Sequence, residues 1–429
     1  MNIRQRRRVA GVWLAAAVLL CTSTAAAQSW VAIGPEGGSI GRLAQDVSNA
    51  NVLYLVSATY PSKMYKSTNR GGLWSEIAFN FNSHLVAVEV NRKSPSEIYT
   101  CGYGNFFKST NSGSNWTTVY LSDGSFYDLT PDSVDQNILH GCGYKWDSVL
   151  GVANMAYLKS TNKGANWTET VIPGTNGGYA SAVAVEPKNS RRVWLGGYVY
   201  TGTESIAKVY RTTNGGANWT DVTGTLSGIV YDLSVDSTNV KRIIAVTSAN
   251  VFRSTNNGVS WSPCTGYMYG NRITSDPKNR NTLYIGGSSA VYKSTDGGAG
   301  WTTYTTGLSE AKSANDILVD RTNSSIVFGG FLTGFLKSTD GGSSWTKSNT
   351  GLLASDVTTI ELSSGASPAL YAGVYNEQLY KTNNPLAKAD QVQAVTWTKL
   401  PTFIDCHNLT DVQVLPTDPN VILAFEGGG

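Results

Sequence analysis

Charged side chains that could act on a ligand recur four residues before an acidic turn residue in this 429-residue chain. The matching positions are Arg42, Asp128, Asp232, Arg272 and Asp316, and Asp411 is a looser match because its strand runs further before Asp418. Paired carboxylates serve as acid and base in glycoside hydrolysis, and a mixed set of Asp and Arg can also bind a polar ligand. The same residues can equally neutralise one another as a structural ion network. No residue is assigned as catalytic at this point.

The elements that must position these side chains are copies of one repeat. The motif is Ser/Thr-x-Asn/Asp-x-Gly-x-x-Trp, as in Ser294 to Trp301, and its tryptophans recur roughly every 40 to 50 residues. Lys381 to Asn384 with Trp397 looks like an eighth copy, interrupted by an insertion. The seven full copies, called box turns below, carry Asn69, Asn111, Asn162, Asn214, Asn256, Asp296 and Asp340, followed by Trp74, Trp116, Trp167, Trp219, Trp261, Trp301 and Trp345.

Each repeat reads as four short strands, and the box turn joins the third strand to the fourth. Consecutive strands are too close in sequence for parallel crossovers, so each unit is an antiparallel meander. Asn or Asp can bond the backbone of its own turn, glycine supplies a positive φ, and the tryptophan offers apolar surface to the next unit. The motif is therefore expected to have a structural role.

Four-stranded units repeated at this period predict an all-β protein, a single β-propeller of eight to nine blades over residues 28–429. The last blade is incomplete, and residues 30–33, which resemble a lone fourth strand, are expected to close the ring. Box turns and first turns should share one face, called the bottom. The charged positions then lie at the top, around the mouth of the central channel, with Leu85, Ala182 and Val357 in the intervening blades.

The motif resembles the Asp-box, or bacterial neuraminidase repeat, and Gly34 to Gly38 resembles the lead-in of sortilin-type and photosystem II assembly-factor-like propellers. The resemblance implies the propeller fold and covers most of the chain. Propellers with this repeat include sialidases, xyloglucan hydrolases, sorting receptors and assembly factors, so the repeat alone does not select a function.

Two enzymatic alternatives follow from that resemblance. A sialidase implies an Arg-Ile-Pro tripeptide, and none occurs; Val171-Ile172-Pro173 is the nearest string. A xyloglucanase-like hydrolase would use Asp128, Asp232, Asp316 or Asp411, but such enzymes resemble two propellers facing each other, whereas one is expected here. The favoured hypothesis is a non-catalytic propeller that binds a protein segment or a glycan on its top face, and the alternative is a glycoside hydrolase.

Aromatic residues cluster in the predicted top loops. These are Tyr103 in blade two, Tyr144 and Trp146 in blade three, and Tyr198 and Tyr200 in blade four. Exposed aromatic rings on adjacent loops form stacking platforms for sugars or extended peptides, and they can also simply pack the loops down. Together with the charged channel positions, they are the predicted ligand-binding residues.

The amino terminus predicts export. Arginines in the first eight residues precede an apolar run from Val9 to Leu20, and Ala25-Ala26-Ala27 offers a small-residue cleavage site. This pattern indicates a Sec-type signal over residues 1–27 and a periplasmic, surface or extracellular protein. Without these arginines the net charge of +3 falls close to zero, so neither nucleic acid nor a membrane surface is an expected partner. No cofactor or metal motif occurs. Cys101 and Cys142 occupy matching positions in consecutive repeats. They are expected either as two free thiols or as a disulfide-bonded pair.

Overall fold

The structure is a computed structural model, and it describes residues 36–79, 81–266, 268–309, 311, 313–354, 356–363, 368–374, 379–383, 395–400, 409–415 and 421–426. The expected all-β class is confirmed: these residues form eight four-stranded antiparallel sheets and two two-stranded sheets. Within the same ranges, no helix is long and apolar enough to cross a membrane. The predicted export signal lies outside the described residues.

The chain divides into two units, and the larger one, Gly37–Ala354, holds seven of the four-stranded sheets. It begins with β1 (Gly37–Gly38). Blade 1 is β2 (Ile40–Gln45), β3 (Leu53–Ser57), β4 (Met64–Ser67) and β5 (Ser75–Ile77). Blade 2 is β6 (Leu85–Val90), β7 (Ile98–Gly102), β8 (Asn105–Ser109) and β9 (Thr117–Tyr120). Blade 3 is β10 (Gly124–Pro131), β11 (Leu139–Asp147), β12 (Val152–Ser160) and β13 (Thr168–Asn176). Blade 4 is β14 (Gly178–Glu186), β15 (Asn189–Tyr200), β16 (Ser205–Thr212) and β17 (Thr220–Asp221).

The remaining blades of this unit are shorter. Blade 5 is β18 (Val230–Val235), β19 (Ile243–Thr247), β20 (Val251–Ser254) and β21 (Ser262–Pro263). Blade 6 is β22 (Gly270–Ser275), β23 (Leu283–Gly287), β24 (Val291–Ser294) and β25 (Thr302–Tyr304). Blade 7 is β26 (Ala314–Val319), β27 (Val327–Phe331), β28 (Gly334–Ser338) and β29 (Thr346–Lys347), followed by β30 (Leu353–Ala354).

The core of the larger unit lies between neighbouring blades. Second strands such as β3, β7 and β19 are buried along their whole length, because adjacent sheets cover both of their faces. The box tryptophans take part in this packing across blades. Trp167 of blade 3 meets Phe106 of blade 2 edge-on, and Trp219 of blade 4 meets Tyr157 of blade 3 in the same way.

Blades 1 and 7 contact each other, so the larger unit is a closed ring of seven blades. The backbone N–H of Leu43 donates to Asp316 at 2.8 Å, and the rings of Trp74 and Phe335 meet with centroids 4.8 Å apart. Strand β1 also pairs in parallel with β30. The expected total of eight to nine blades is matched by the sheets of both units together, but seven of them already close a ring. The proposed closing strand at residues 30–33 lies outside the described residues.

The smaller unit comprises residues 1–36 and 355–429. Its four-stranded sheet is β31 (Val357–Leu362), β32 (Leu370–Val374), β33 (Leu379–Thr382) and β34 (Thr398–Lys399). Its second sheet is the pair β35 (Leu409–Val414) and β36 (Ile422–Glu426). Tyr371 and Val412 belong to its buried core.

All seven box turns repeat one hydrogen-bond pattern. In the first, Ser67 Oγ accepts from the N–H of Gly71 at 2.9 Å, and Asn69 Oδ1 accepts from the N–H of Leu73 at 2.8 Å. The N–H of Arg70 also donates to Asn51 of the turn between the first two strands, and the same bond recurs in every blade of the ring. Box turns and first turns therefore share one face, which is the bottom.

Candidate functional site

The charged positions of the first strands all follow a β-bulge. In β10 the register shifts between Phe126 and Asp128, and the same shift occurs before Arg42, Asp232, Arg272, Asp316 and Asp411. Blade 2 has its shift between Leu85 and Ala87, and β31 has its shift between Val357 and Thr359. The expectation for Leu85 and Val357 was therefore wrong: the bulge moves the equivalent position two residues on, to Ala87 and Thr359. Ala182 follows a shift as expected.

The three aspartates of the ring each accept a backbone N–H from the next blade. Asp128 accepts from Val183 at 3.2 Å, Asp232 from Ile273 at 2.9 Å and Asp316 from Leu43 at 2.8 Å. Each acceptor thus ties its own blade to the blade that follows it around the ring. Asp232 and Asp316 use their other carboxylate oxygen for the N–H of the residue directly after them. Much of the hydrogen-bonding capacity of these carboxylates is therefore used by the backbone.

Arg272 joins two of these carboxylates. One guanidinium nitrogen lies 3.3 Å from Asp128 and 3.4 Å from Asp232. Burial opposes its charge, but Asp128, Asp232 and Asp316 raise the pKa of Arg272 above its ordinary value. Burial also raises the pKa of Asp232, to about 6, against the opposing effect of Arg272.

Arg42 is the second cation at the channel mouth. Burial and the nearby charge of Arg272 lower its pKa to about 10. Its guanidinium donates to the carbonyl oxygen of Gly41 at 2.9 Å, whereas its buried Nε atom has no hydrogen-bond partner in the structure. The structure therefore brings Arg42, Asp128, Asp232, Arg272 and Asp316 close to one another, and ion pairs join Arg272 to Asp128 and Asp232. Asp411 lies in the smaller unit, where Val412 donates its N–H to the carboxylate at 2.9 Å.

Glu89 is a further charged group near this network that the sequence analysis did not identify. It lies two residues beyond Ala87 on β6, and burial raises the pKa of its carboxyl to about 8 although Arg92 lowers it. The fold therefore favours the protonated form of Glu89 more than water does.

An arc of aromatic side chains crosses the top of blades 2 to 4. His84 stacks on Tyr103 with ring centroids 5.4 Å apart, and Tyr103 meets Tyr127 at 6.0 Å. The arc then continues through Tyr144, Tyr179 and Tyr198. Tyr127 is 5.8 Å from Tyr144 and 6.2 Å from Tyr179, and Tyr179 stacks on Tyr198 at 5.4 Å. These six residues are called the aromatic arc below.

The arc is packed and accessible at the same time. Tyr103 is 52% exposed, and the other arc members are half-buried. Burial, followed by the neighbouring tyrosines, raises the pKa of Tyr127, so its hydroxyl stays protonated at neutral pH. Such rings offer flat apolar surface and hydroxyl groups to a ligand at once.

Three of the five predicted aromatic residues lie in the arc, namely Tyr103, Tyr144 and Tyr198. Trp146 and Tyr200 are both exposed but make no ring contact with the arc members. His84, Tyr127 and Tyr179 were not predicted. Tyr127 directly precedes Asp128, so its place beside a channel position was a usable signal, whereas His84 and Tyr179 do not lie next to one.

The remaining predictions concern metals and thiols. Among the described residues, no group of three or more His, Cys, Asp or Glu side chains is placed to hold a metal ion. Cys101 and Cys142 are buried free thiols, which agrees with the first of the two alternatives.

Comparisons with known proteins support the fold. No family model matches the chain. The xyloglucanase Xgh74A of Acetivibrio thermocellus is 27% identical over 158 residues, which cover 34% of this chain but only 16% of that relative. A GH74 xyloglucanase structure from Xanthomonas campestris has a TM-score of 0.63 at 12% identity, covering 88% of this chain and 70% of its own. The structure of YCF48 bound to a D1 peptide has a TM-score of 0.53 at 14% identity, and the match covers 71% of this chain and 94% of that chain. At these identities the likeness establishes a β-propeller and leaves activity, substrates and partners open.

Proposed function

We propose that the protein is an exported, non-catalytic propeller that holds an extended ligand, a polysaccharide chain or a protein segment, along its aromatic arc. The observation that carries this proposal is the continuity of the arc from His84 to Tyr198 across three blades. A row of rings at such spacing can contact successive units of a chain, whereas an isolated surface aromatic cannot. The two kinds of similar propeller, a xyloglucanase and a peptide-bound YCF48, are consistent with either ligand class.

The state of the channel aspartates supports a role without catalysis. Asp232 is buried, and its two carboxylate oxygens already accept the N–H groups of Leu233 and Ile273. A general acid or base must reach the reacting atom within hydrogen-bond distance. The bonds to Leu233 and Ile273 hold the carboxylate of Asp232 against the backbone of its own blade and of the next blade. The channel network is therefore proposed to stabilise the ring.

The proposal is tested by removing arc rings. Tyr103→Ala and Tyr198→Ala should each weaken ligand binding by about fivefold, because a stacking ring contributes on the order of 1 kcal/mol. Tyr120→Ala is the matched control, since Tyr120 on β9 is 76% exposed and lies outside the arc. Binding is measured by affinity electrophoresis in xyloglucan, hydroxyethylcellulose and mannan gels, and on an array of 15-residue peptides. Equal binding by the arc variants and the control would contradict the proposal.

A second candidate function, glycoside hydrolysis, is favoured by one specific observation. Asp128 and Asp232 flank the same Arg272 nitrogen, and the pKa of Asp232 is raised to about 6, as in a general acid. Reducing-sugar release from xyloglucan, abolished by Asp232→Asn in a folded variant, would replace the binding proposal with this one. Absence of release by the wild-type protein would remove it.

A further inference from the structure

A cleft of about 430 Å³ opens at the top of blade 3, beside the hairpin formed by β11 and β12. It is a separate feature from the arc, which uses Tyr144 on the same hairpin. Trp146 and Lys145 lie on one side of the cleft, Ile172 and Pro173 on the other, and Asn154 and Asn176 between them. The volume is in the range of small-molecule sites.

The cleft exists because β13 leaves the sheet and returns to it. Asn154 pairs with Asn176 and Ala156 pairs with Val171, so several residues of β13 bulge out opposite a single residue of β12. The hydroxyl of Thr175 stabilises this bulged segment of β13. It donates to the carbonyl oxygen of Ile172 at 2.6 Å and accepts the N–H of Met155 at 3.1 Å.

Asn154 makes no side-chain hydrogen bond with the other residues that the structure describes. The residue as a whole is only 7% exposed, but its amide atoms are not among the fully buried polar atoms that lack a partner, so they reach solvent in the cleft. Lys145, Asn154 and Asn176 are cross-strand neighbours, so their side chains point to the same face of the sheet. The two amides can therefore donate to and accept from a ligand in the cleft.

The charges around the cleft are already engaged. Lys145 lies 3.5 Å from Glu169, and Asp147 accepts the N–H groups of Val149 and Leu150 in the hairpin turn. What remains for a ligand is an uncharged amide pair, the exposed indole of Trp146 and the exposed ring of Pro173, because the side chain of Ile172 is fully buried. This combination does not favour an ionic ligand.

We infer that the blade-3 cleft binds a neutral sugar unit, which makes a polysaccharide the ligand of the top face. An amide can donate to one hydroxyl and accept from another, and an indole packs against the apolar face of a pyranose ring. The inference rests on the proposed binding function and deepens it, because it chooses the glycan over the protein segment. The arc follows the chain of sugars, and the cleft recognises one of them.

The test uses the whole protein and isothermal titration calorimetry with four probes: cellohexaose, a xyloglucan nonasaccharide, laminarihexaose and mannohexaose. At least one should bind, and Trp146→Ala and Asn154→Ala should each weaken it by about tenfold. Val149→Ala is the control, since Val149 lies on the same hairpin, is 91% exposed and does not line the cleft. Asn154→Ala should also leave the melting temperature nearly unchanged, because it removes no hydrogen bond within the protein.

The outcomes separate this inference from the broader proposal. Failure of all four probes to bind overturns the inference, and so does binding that both cleft variants retain. If the cleft variants bind normally while Tyr103→Ala does not, the arc proposal stands without the cleft. If the cleft variants lose binding while Tyr103→Ala and Tyr198→Ala retain it, the cleft stands and the arc proposal fails.

Discussion

The bottom of the seven-bladed ring repeats one turn in every blade, whereas the top differs from blade to blade. At the bottom, each blade repeats the same turn, in which a Ser or Thr hydroxyl and an Asn or Asp oxygen accept backbone N–H groups within the turn. At the top, the blades differ: β15 has 12 residues, whereas its counterpart β19 in the next blade has five. The partly exposed rings and the unpartnered amide also lie there.

The difference shows where the molecule can accommodate a ligand. Polar groups at the bottom are satisfied by their own turn, so little capacity remains for an external partner. At the top, long hairpins on blades 3 and 4 extend beyond the common scaffold, and side chains there are incompletely used. Rigid repeated turns with variable loops at the other end are a common arrangement for binding proteins.

The largest expected effect comes from a box glycine. In Gly164→Ala the new Cβ would lie within 2.1 Å of the ring of Phe106, and Gly164 has a φ of 83°. The free energy of unfolding should fall by about 3 kcal/mol or more, from overpacking combined with backbone strain. Gly151 at the tip of the blade-3 hairpin is the control, because its φ is 66° and no atom lies within 4 Å. Gly151→Ala should cost only about 1 kcal/mol. Equal losses in urea unfolding would contradict the contrast between the faces.

The channel aspartates lie toward the top of the ring. Like the side chains of the box turns, however, their carboxylates accept backbone N–H groups of the protein. Asp316→Ala leaves the N–H of Leu43 without its acceptor and removes a nearby negative charge from Arg42. A loss of about 2 kcal/mol is expected in the same assay. Asp411→Ala, at the matching position in β35, should cost less than about 1 kcal/mol because that residue is exposed. A loss for Asp316→Ala as small as that for Asp411→Ala would show that its bond does not stabilise the ring.

Glu89 gives a pH-dependent test of the channel. Its folded-state pKa of about 8 lies above the ordinary value of 4.5, so the fold favours the protonated form. The stability that this carboxyl contributes in acid is therefore lost as the pH rises from 4.5 towards 8. Glu89→Gln cannot ionise, and its stability relative to wild type should increase by at least about 1 kcal/mol between pH 5 and pH 8. A stability difference that stays constant over this range would contradict the burial of Glu89 in an unfavourable environment.

The smallest effect on stability is expected for an arc residue. Tyr103→Ala removes a ring that is half exposed, so the free energy of unfolding should change by less than about 0.5 kcal/mol while ligand binding falls. Thermal unfolding measured beside the binding assay checks both. A loss of stability comparable to that of Asp316→Ala would mean that the arc is mainly a packing feature.

Several features could be predicted because they are local in sequence. The box turn from Ser67 to Leu73 closes within a few residues, so its hydrogen bonds follow from the motif itself. The charged channel positions could be found by counting back from the turn acid. The count of four from Asn91 also identifies Ala87, two residues beyond the expected Leu85.

The arc could be predicted only in part. Tyr103 directly follows a second strand, and Tyr144 and Tyr198 lie in the extended ends of β11 and β15, where the top loops were expected. Tyr127 and Tyr179 lie on first strands, and they reach the arc because neighbouring blades place their inner strands side by side. That proximity depends on how blades pack, which no single repeat encodes.

The sequence by itself determined the repeating blade, the bottom turns and the side chains at the ends of the inner strands. Only the tertiary structure decided that the ring closes on seven blades, through contacts such as that between Leu43 and Asp316, and that amides of β12 and β13 line one cleft. The physical reason is the range of the interactions. The hydrogen bonds of a box turn form within about five residues, so the motif itself specifies them. Closure of the ring depends instead on the summed geometry of all the blades between the first and the last.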